Sequence, residues 1–315
     1  MKKTQVIIKD CQSYDEAELY KVLSEIDIPI ASGQKILVKP NILSTKDSNS
    51  PVNTHPLFVK TVVKILLEKG CDVWVGDGPG AGNKKILEVY EASGIKQAVE
   101  EAGGKLLIFN DVLKINLTKD SSYFLKELIL YKEIKNFDAI ISLPKFKTHG
   151  LMTFTGAVKN LFGLAAGLSK VEYHKQHPLA KDFSNVLVDI YQYVKPVYSI
   201  VDAIIGMDGA GPAGGSPKHI GKILAGADGV AIDAISAVMI GVNPLDIFTT
   251  KDAYARGLGE ADLQKIDVVG KLEKIPDFEL PRRSMLIFDR LPLWLAKLAI
   301  KLVWMRPKII NDICK

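Results

Sequence analysis

The chain has 315 residues, of which 47% are hydrophobic and 24% charged, with a net charge of +5. That length supports one large or two medium domains around a real core, and the balance excludes a disordered chain. The cationic surplus is too small to argue for nucleic acid; it suits an anionic small molecule or a membrane surface.

The N-terminus "MKKTQVIIKD" has an apolar run of only Val6, Ile7 and Ile8, too short for a signal peptide, and it reads as a first strand. "KILVK" (35–39), "DVWVGD" (72–77), "KLLIF" (105–109) and "DAIISL" (138–143) are further strands. Between the first two of these, "HPLFVKTVVKILLEKG" places Leu57, Val59, Val62, Val63, Leu66 and Leu67 on one helix face and stops at Gly70. Strand, helix and strand in that order predict a right-handed βαβ unit and a mostly parallel sheet. After Pro196, "VYSIVDAIIG" and "HIGKILAG" read as strands, "DGVAIDAISAVMIG" as a helix and "IDVVG" as a last strand.

The expected fold is α/β: a mostly parallel, Rossmann-like sheet with flanking helices and a second α/β lobe. The expected division is 1–195 for the lobe with a Lys/His-rich cleft, 196–280 for the second lobe and 281–315 for a basic apolar arm. Within the arm, "LPLWLAKLAIKLVWM" (291–305) is shorter than the ~20 residues of a spanning helix and is broken by Lys297 and Lys301. It suits docking against the protein or a partner, or a peripheral contact in a membrane interface. Cys11, Cys71 and Cys314 form no CxxC pair, which points to a reducing, cytoplasmic setting.

In open α/β sheets ligands bind beyond the carboxyl ends of the strands, and polar motifs gather there. "VKPN" brings Lys39 and Asn41 to the end of one strand, and "NTHP" opens the next helix with Thr54 or His55 as cap. "GDGPGAGN" fits neither GxGxxG nor a GK[ST] loop, so it predicts no dinucleotide or P-loop site, but it offers Asp77 as a cleft carboxylate. "SLPKFKTHGLMTFTGAVKNLFG" (142–163) puts Lys145, Lys147 and His149 on a loop. Thr153 or Thr155 would then cap a helix carrying Lys159 and Asn160, its N-terminus aimed at the cleft. "VEYHKQHP" adds His174, and Asp202 opens a glycine-rich run, "DAIIGMDGAGPAGGSP", that is either a loose connection or a loop over a ligand. The sum is a basic pocket built from Lys39, His55, Lys145, Lys147, Lys159 and the histidines.

On "VKPN", "THP", "VGDGPG", "LPKFKTHGLMTFTGAVKNLFG", "YHKQHP" and "GMDGAGPAGG", the chain resembles the domain-of-unknown-function 362 (DUF362) family over most of residues 1–270. Many members of that family carry a ferredoxin-like module with two [4Fe–4S] clusters after this domain. Cys314 resembles the first ligand of such a module and would matter as a metal ligand only if one followed. A cubane needs four thiolates, so no cluster is expected on this chain. A more distant similarity is to the nickel-pincer lactate racemase family, in which one His is a base, a Lys holds the pincer cofactor and a later His ligates nickel. The matching positions are Lys39, His149, Lys159 and His174, although "KPN" stands in place of Arg-Pro-Thr.

Three functions follow as expectations. The first is an enzyme acting on a carboxylate or phosphate: Lys39, Lys145 and Lys147 neutralise it, His149 or His174 moves protons, and Lys159 is an electrostatic stabiliser or nucleophile. The resemblance adds a ferredoxin-type electron donor and anaerobic reductive chemistry. The second is isomerase or racemase chemistry on a hydroxy acid. The third is a non-catalytic scaffold or electron-transfer adaptor that docks through the arm.

Overall fold

The structure is a computed structural model that describes residues 3–79 and 86–281. In chain order it contains β1 (Thr4–Asp10), α1 (Glu16–Ser24), β2 (Lys35–Pro40), α2 (Pro56–Glu68), β3 (Asp72–Val75), α3 (Ile86–Ala92), α4 (Ile95–Ala102) and β4 (Lys105–Leu106). There follow β5 (Val112–Asn116), β6 (Glu127–Tyr131), β7 (Ala139–Leu143), β8 (Lys145–His149), β9 (Thr153–Thr155), α5 (Ala157–Asn160), α6 (Ser169–Gln176) and α7 (Ala180–Val194). The last are β10 (Tyr198–Asp208), β11 (Ser216–Gly226), α8 (Gly229–Met239), α9 (Phe248–Ala255) and β12 (Ile266–Val269). The basic arm predicted after Pro281, with Cys314, lies outside the described residues, as does the 80–85 part of the glycine run.

One sheet carries the fold, in the order β12-β1-β11-β10-β7-β2-β3-β4, with β8 continuing beside β10 and β9 beside β8. The pairings of β2 with β3 and β7, of β3 with β4, and of β10 with β7 and β8 are parallel; β11 runs antiparallel to both β1 and β10. Strands from 1–195 and from 196–280 share this sheet. Side chains alternate across it: Leu37, Val201 and Ala203 face the core beneath α7 and α8, whereas Ile36, Val38, Ile200 and Ile204 face the core beneath α1, α2 and α4. The result is three layers, helix, sheet and helix.

From β2 the chain winds outward through β3 to β4, then returns to place β7 on the other side of β2. The direction of winding therefore reverses between β2 and β7, and a crevice opens beyond their carboxyl ends. Two devices shape it. His55 is the N-cap of α2, its Nδ1 accepting from the Leu57 N–H at 3.2 Å, while Thr54 Oγ1 donates to the Leu143 carbonyl at 2.7 Å and ties this turn to β7. Gly70, at φ +81°, ends α2 in the left-handed conformation.

Three local expectations change. Lys145–His149 is a strand, not a loop, because it extends the parallel edge of β10 and then hairpins into β9. The helix expected through "TGAVKNLFGL" is α-helical only over Ala157–Asn160 and continues as a 3-10 turn over Leu161–Leu164. Its N-terminus does not face the crevice and Thr155 does not cap it. The Asp233 carboxylate of α8 accepts from the Ala157 and Val158 N–H groups at 2.6 and 3.1 Å. Gly156 is small because a Cβ there would run into that carboxylate. Removing the acceptor in Asp233→Ala strands two buried donors, so urea unfolding is expected to show a loss of about 1–2 kcal/mol.

Candidate functional site

A cavity of 280 Å³ lies at the winding reversal. Asn41 after β2 and Asp77 after β3 form one wall, Lys147 and His149 of β8 another. Thr155, Lys159 and Asn160 come from the β9–α5 segment, and Lys170 and His174 from α6. Ile42, Leu43, Phe162 and Val171 supply its apolar part, and Pro212 from the glycine-rich run closes one side. Strand alternation explains β8: Lys145, Lys147 and His149 project to one side, while Phe146 enters the core on the other.

Lys39 does not reach this cavity as a free cation. It is fully buried and paired with Asp77 (Nζ to Oδ1, 2.6 Å), and it also donates to the Pro40 carbonyl at 2.8 Å and to Asn160 Oδ1 at 3.4 Å. Asp77 in turn accepts from the Ile42 N–H (2.7 Å) and the Gly78 N–H (2.9 Å). Asn160 Nδ2 reaches the Lys39 carbonyl (3.2 Å) and Ser142 Oγ (2.9 Å), so this amide bridges the ends of β2 and β7. The pair lies directly on the backbone of Gly163, where a Cβ would collide with Asp77 Oδ1 and Lys39 Nζ.

The remaining lysines have no carboxylate among the described residues. Lys147 gives one N–H to the Val52 carbonyl at 2.6 Å, Lys170 gives one to the Gly78 carbonyl, and Lys159 gives none to any described residue. Burial pushes the Lys159 ammonium down to about 8, helped by the charges of Lys39 and Lys170. Burial also brings Lys170 to about 8, against the opposing pull of Asp77. Lys147 is held well below the usual range by burial and then by Lys159 and Lys145. Thr155 Oγ1 and Asn41 Oδ1 are buried without a hydrogen-bond partner among the described residues.

Both histidines are held neutral, in different surroundings. His149 Nδ1 accepts from the Leu151 and Met152 N–H groups, both at 3.2 Å. The neutral ring therefore carries its proton on Nε2. Burial and the nearby Lys159 and Lys147 hold His149 well below the ordinary imidazole value, so it stays neutral. His174 stacks on Phe183 (ring centroids 4.1 Å apart) and meets the edge of Phe162; burial and Lys159 bring it down to about 4.

Lys145, Asp202 and His55, expected in the same pocket, form a separate buried network. Lys145 Nζ lies 2.8 Å from Asp202 Oδ2 and 2.8 Å from the Tyr14 hydroxyl, which donates to Asp202 Oδ1 at 2.7 Å. The backbone N–H of His55 completes the carboxylate at 3.0 Å, and the His55 ring stacks on Tyr14 at 3.6 Å. Every charge there has a partner, so this cluster fastens α1, α2, β8 and β10 and does not open a second binding site. The one-pocket expectation thus divides: Asn41, Asp77, Lys147, His149, Thr155, Lys159, Asn160 and His174 share the cavity, Lys39 backs it, and Lys145, His55 and Asp202 stand apart.

Lys170 escaped the sequence reading, although a signal was present: on α6 it precedes His174 by four residues and so shares its face. Tyr14 and Asp233 gave none, being brought in by long-range packing. Among the described residues no three His, Cys, Asp or Glu side chains gather as a metal-ligand set, and no helix is long and apolar enough to cross a membrane.

The fold and the cavity define an α/β protein with a lysine- and histidine-lined pocket at the winding reversal of a mainly parallel sheet. Residues 36–238 match the family described as Domain of unknown function (DUF362), and the chain belongs to that family. It is 30% identical over 262 residues to the thylakoid-associated protein sll1697 of Synechocystis sp. (strain ATCC 27184 / PCC 6803 / Kazusa), covering 78% of each chain. Among solved structures it is distantly similar to the lactate racemase apoprotein of Thermoanaerobacterium thermosaccharolyticum, with a TM-score of 0.44 and 15% identity. That match covers 71% of this chain and 54% of the racemase, about half its length.

The charge imbalance predicts a pH effect. An exposed lysine titrates near 10.5, so between about 8 and 10.5 the unfolded chain holds more protons at positions 159 and 170 than the folded one. Their penalty on folding is therefore full below about 8 and is lifted as the pH rises toward 10.5. Lys159→Gln is expected to raise the melting temperature at pH 7, and its advantage over the wild type is expected to shrink by pH 9.5, read by circular-dichroism melts in a pH series.

Proposed function

We propose that this chain binds an anionic small molecule, a carboxylate or a phosphate, in the cavity and acts on it by proton transfer. The carrying observation is that Lys147, Lys159 and Lys170 face one space in which Asp77, the only lining carboxylate among the described residues, is already paired with Lys39. A negative ligand supplies the missing counter-charge and an acceptor for each ammonium. His149, with its proton on Nε2, donates to an oxygen of the ligand as a general acid. His174, neutral and without a hydrogen-bond partner among the described residues, is the proton acceptor. This division narrows the earlier choice between the two rings: for His149 to act as base it would have to break both backbone contacts at Nδ1.

One acid and one base lining the same cavity also favour a second reading, isomerisation at the carbon beside a carboxylate, as in a hydroxy acid. An imidazole that removes a proton and another that returns one is the minimum equipment for it. A ferredoxin-type electron donor, an adaptor role and a peripheral membrane contact, which the words "thylakoid-associated" in the relative's name suit, would all fall to the segment after Pro281, outside the described residues. A cytoplasmic setting goes with the buried, unpaired thiols of Cys11 and Cys71.

Thermal-shift titration of the full chain with lactate, malate, phosphate and sulfate tests the binding step. At least one of these anions is expected to raise the melting temperature by several degrees, and Lys159→Ala is expected to abolish the rise without unfolding the protein. For any 2-hydroxy acid that binds, exchange of its Cα hydrogen with D2O, followed by NMR, is expected in the wild type and to fall at least ~100-fold in His174→Ala. Retention of full exchange in that variant would remove His174 from the chemistry.

A further inference from the structure

The number of unanswered donors in the cavity says more than that its ligand is negative. Each ammonium has three N–H groups. Lys147 and Lys170 each spend one on a backbone carbonyl, and Lys159 spends none on any described residue. The neutral His149 adds its Nε2–H, and Thr155, 1% exposed, holds a hydroxyl without a partner among the described residues. A single carboxylate has two oxygens and one charge. It would satisfy a minority of these donors and leave two ammonium groups without counter-charge in one half-buried pocket, an arrangement that burial opposes. Two negative charges on three or four oxygens reduce the excess to one ammonium and give each lysine an acceptor.

We infer that the ligand is a small dianion, a phosphate monoester or a dicarboxylate, held by Lys147, Lys159 and Lys170 and seated against Thr155; this rests on the anion-binding reading above. Size agrees. At 280 Å³ the cavity sits at the lower edge of small-molecule sites (roughly 300–1,000 Å³), which leaves no room for a dinucleotide. The apolar side chains of Ile42, Leu43 and Phe162 leave space for a short carbon skeleton beside the charged end. Proton linkage follows as well. The empty site holds Lys159 and Lys170 near 8, so part of each is neutral at pH 8, and a dianion that draws both back to the charged form must bring protons in with it.

Isothermal titration of the full chain at pH 7 and low salt, with phenyl phosphate, succinate and benzoate as probes, separates the possibilities. Phenyl phosphate is mostly dianionic at that pH, since the second phosphate pKa is about 6. One of the two dianions is expected to bind at least about tenfold more tightly than benzoate. Which one wins tells a phosphate ligand from a dicarboxylate. Lys159→Gln and Lys170→Gln are each expected to reduce the preference, and at pH 8 the heat of dianion binding is expected to vary with the ionisation enthalpy of the buffer. Should a variant fail to fold, the wild-type ratio decides alone. Benzoate binding as tightly as both dianions overturns the dianion while leaving the anion reading in place. No binding by any of the three overturns both.

Discussion

The ion pair between Lys39 and Asp77 is the constraint on which the rest of the site depends. At 2.6 Å, with both side chains almost wholly buried, it uses the one carboxylate that lines the cavity among the described residues. Removing either partner would leave an uncompensated buried charge, at a cost of about 3–5 kcal/mol. The neighbours reflect that need: Asn160 supports the lysine from the α5 side, the Ile42 and Gly78 N–H groups support the carboxylate, and Gly163 leaves room for both. Because the pair is closed, Lys147, Lys159 and Lys170 are left without a counter-charge among the described residues.

The contrast with the second lysine network is informative. Lys145 meets Asp202 and Tyr14 in a set where each polar atom is answered, and it joins elements far apart in the chain. Lys147 is two residues further along the same strand face, yet it has only a backbone carbonyl. Identical chemistry on one strand thus divides into a fastening and a binding element, and the presence of a buried carboxylate opposite decides which. A protein that retains unpaired ammonium groups gives up stability for a function that needs them.

Much of the framework was legible because it depends on local pattern. Short β-branched runs mark β1, β2, β3, β7 and β10, and the face of Leu57, Val59, Val62, Val63, Leu66 and Leu67 with Gly70 behind it marks α2. The polar residues of 142–163 do lie at the sheet edge, but "KFKTH", which reads as a loop, has the alternation of a strand. Charge density there masked the period. "KLLIF" shows the opposite error: the strand covers only Lys105 and Leu106, the Leu107 N–H makes one further bond to the Val75 carbonyl at 2.8 Å, and Phe109 leaves the sheet to stack on Tyr131. Which lysine would find a carboxylate could not be read, because Asp77, Asp202 and Asp233 meet their partners through contacts 38 to 76 positions or more along the chain. Tertiary packing alone sets those distances.

Selective 13C labelling of lysine side chains, followed by NMR titration of the ligand-free protein, would read the charge in the cavity. Resonances assigned to Lys159 and Lys170 are expected to titrate near pH 8 and to move upward when the cavity is filled by an anion. If every lysine titrated near 10.5 and none responded to added anion, the cavity would not hold unanswered positive charge, and the reading of the site would be contradicted.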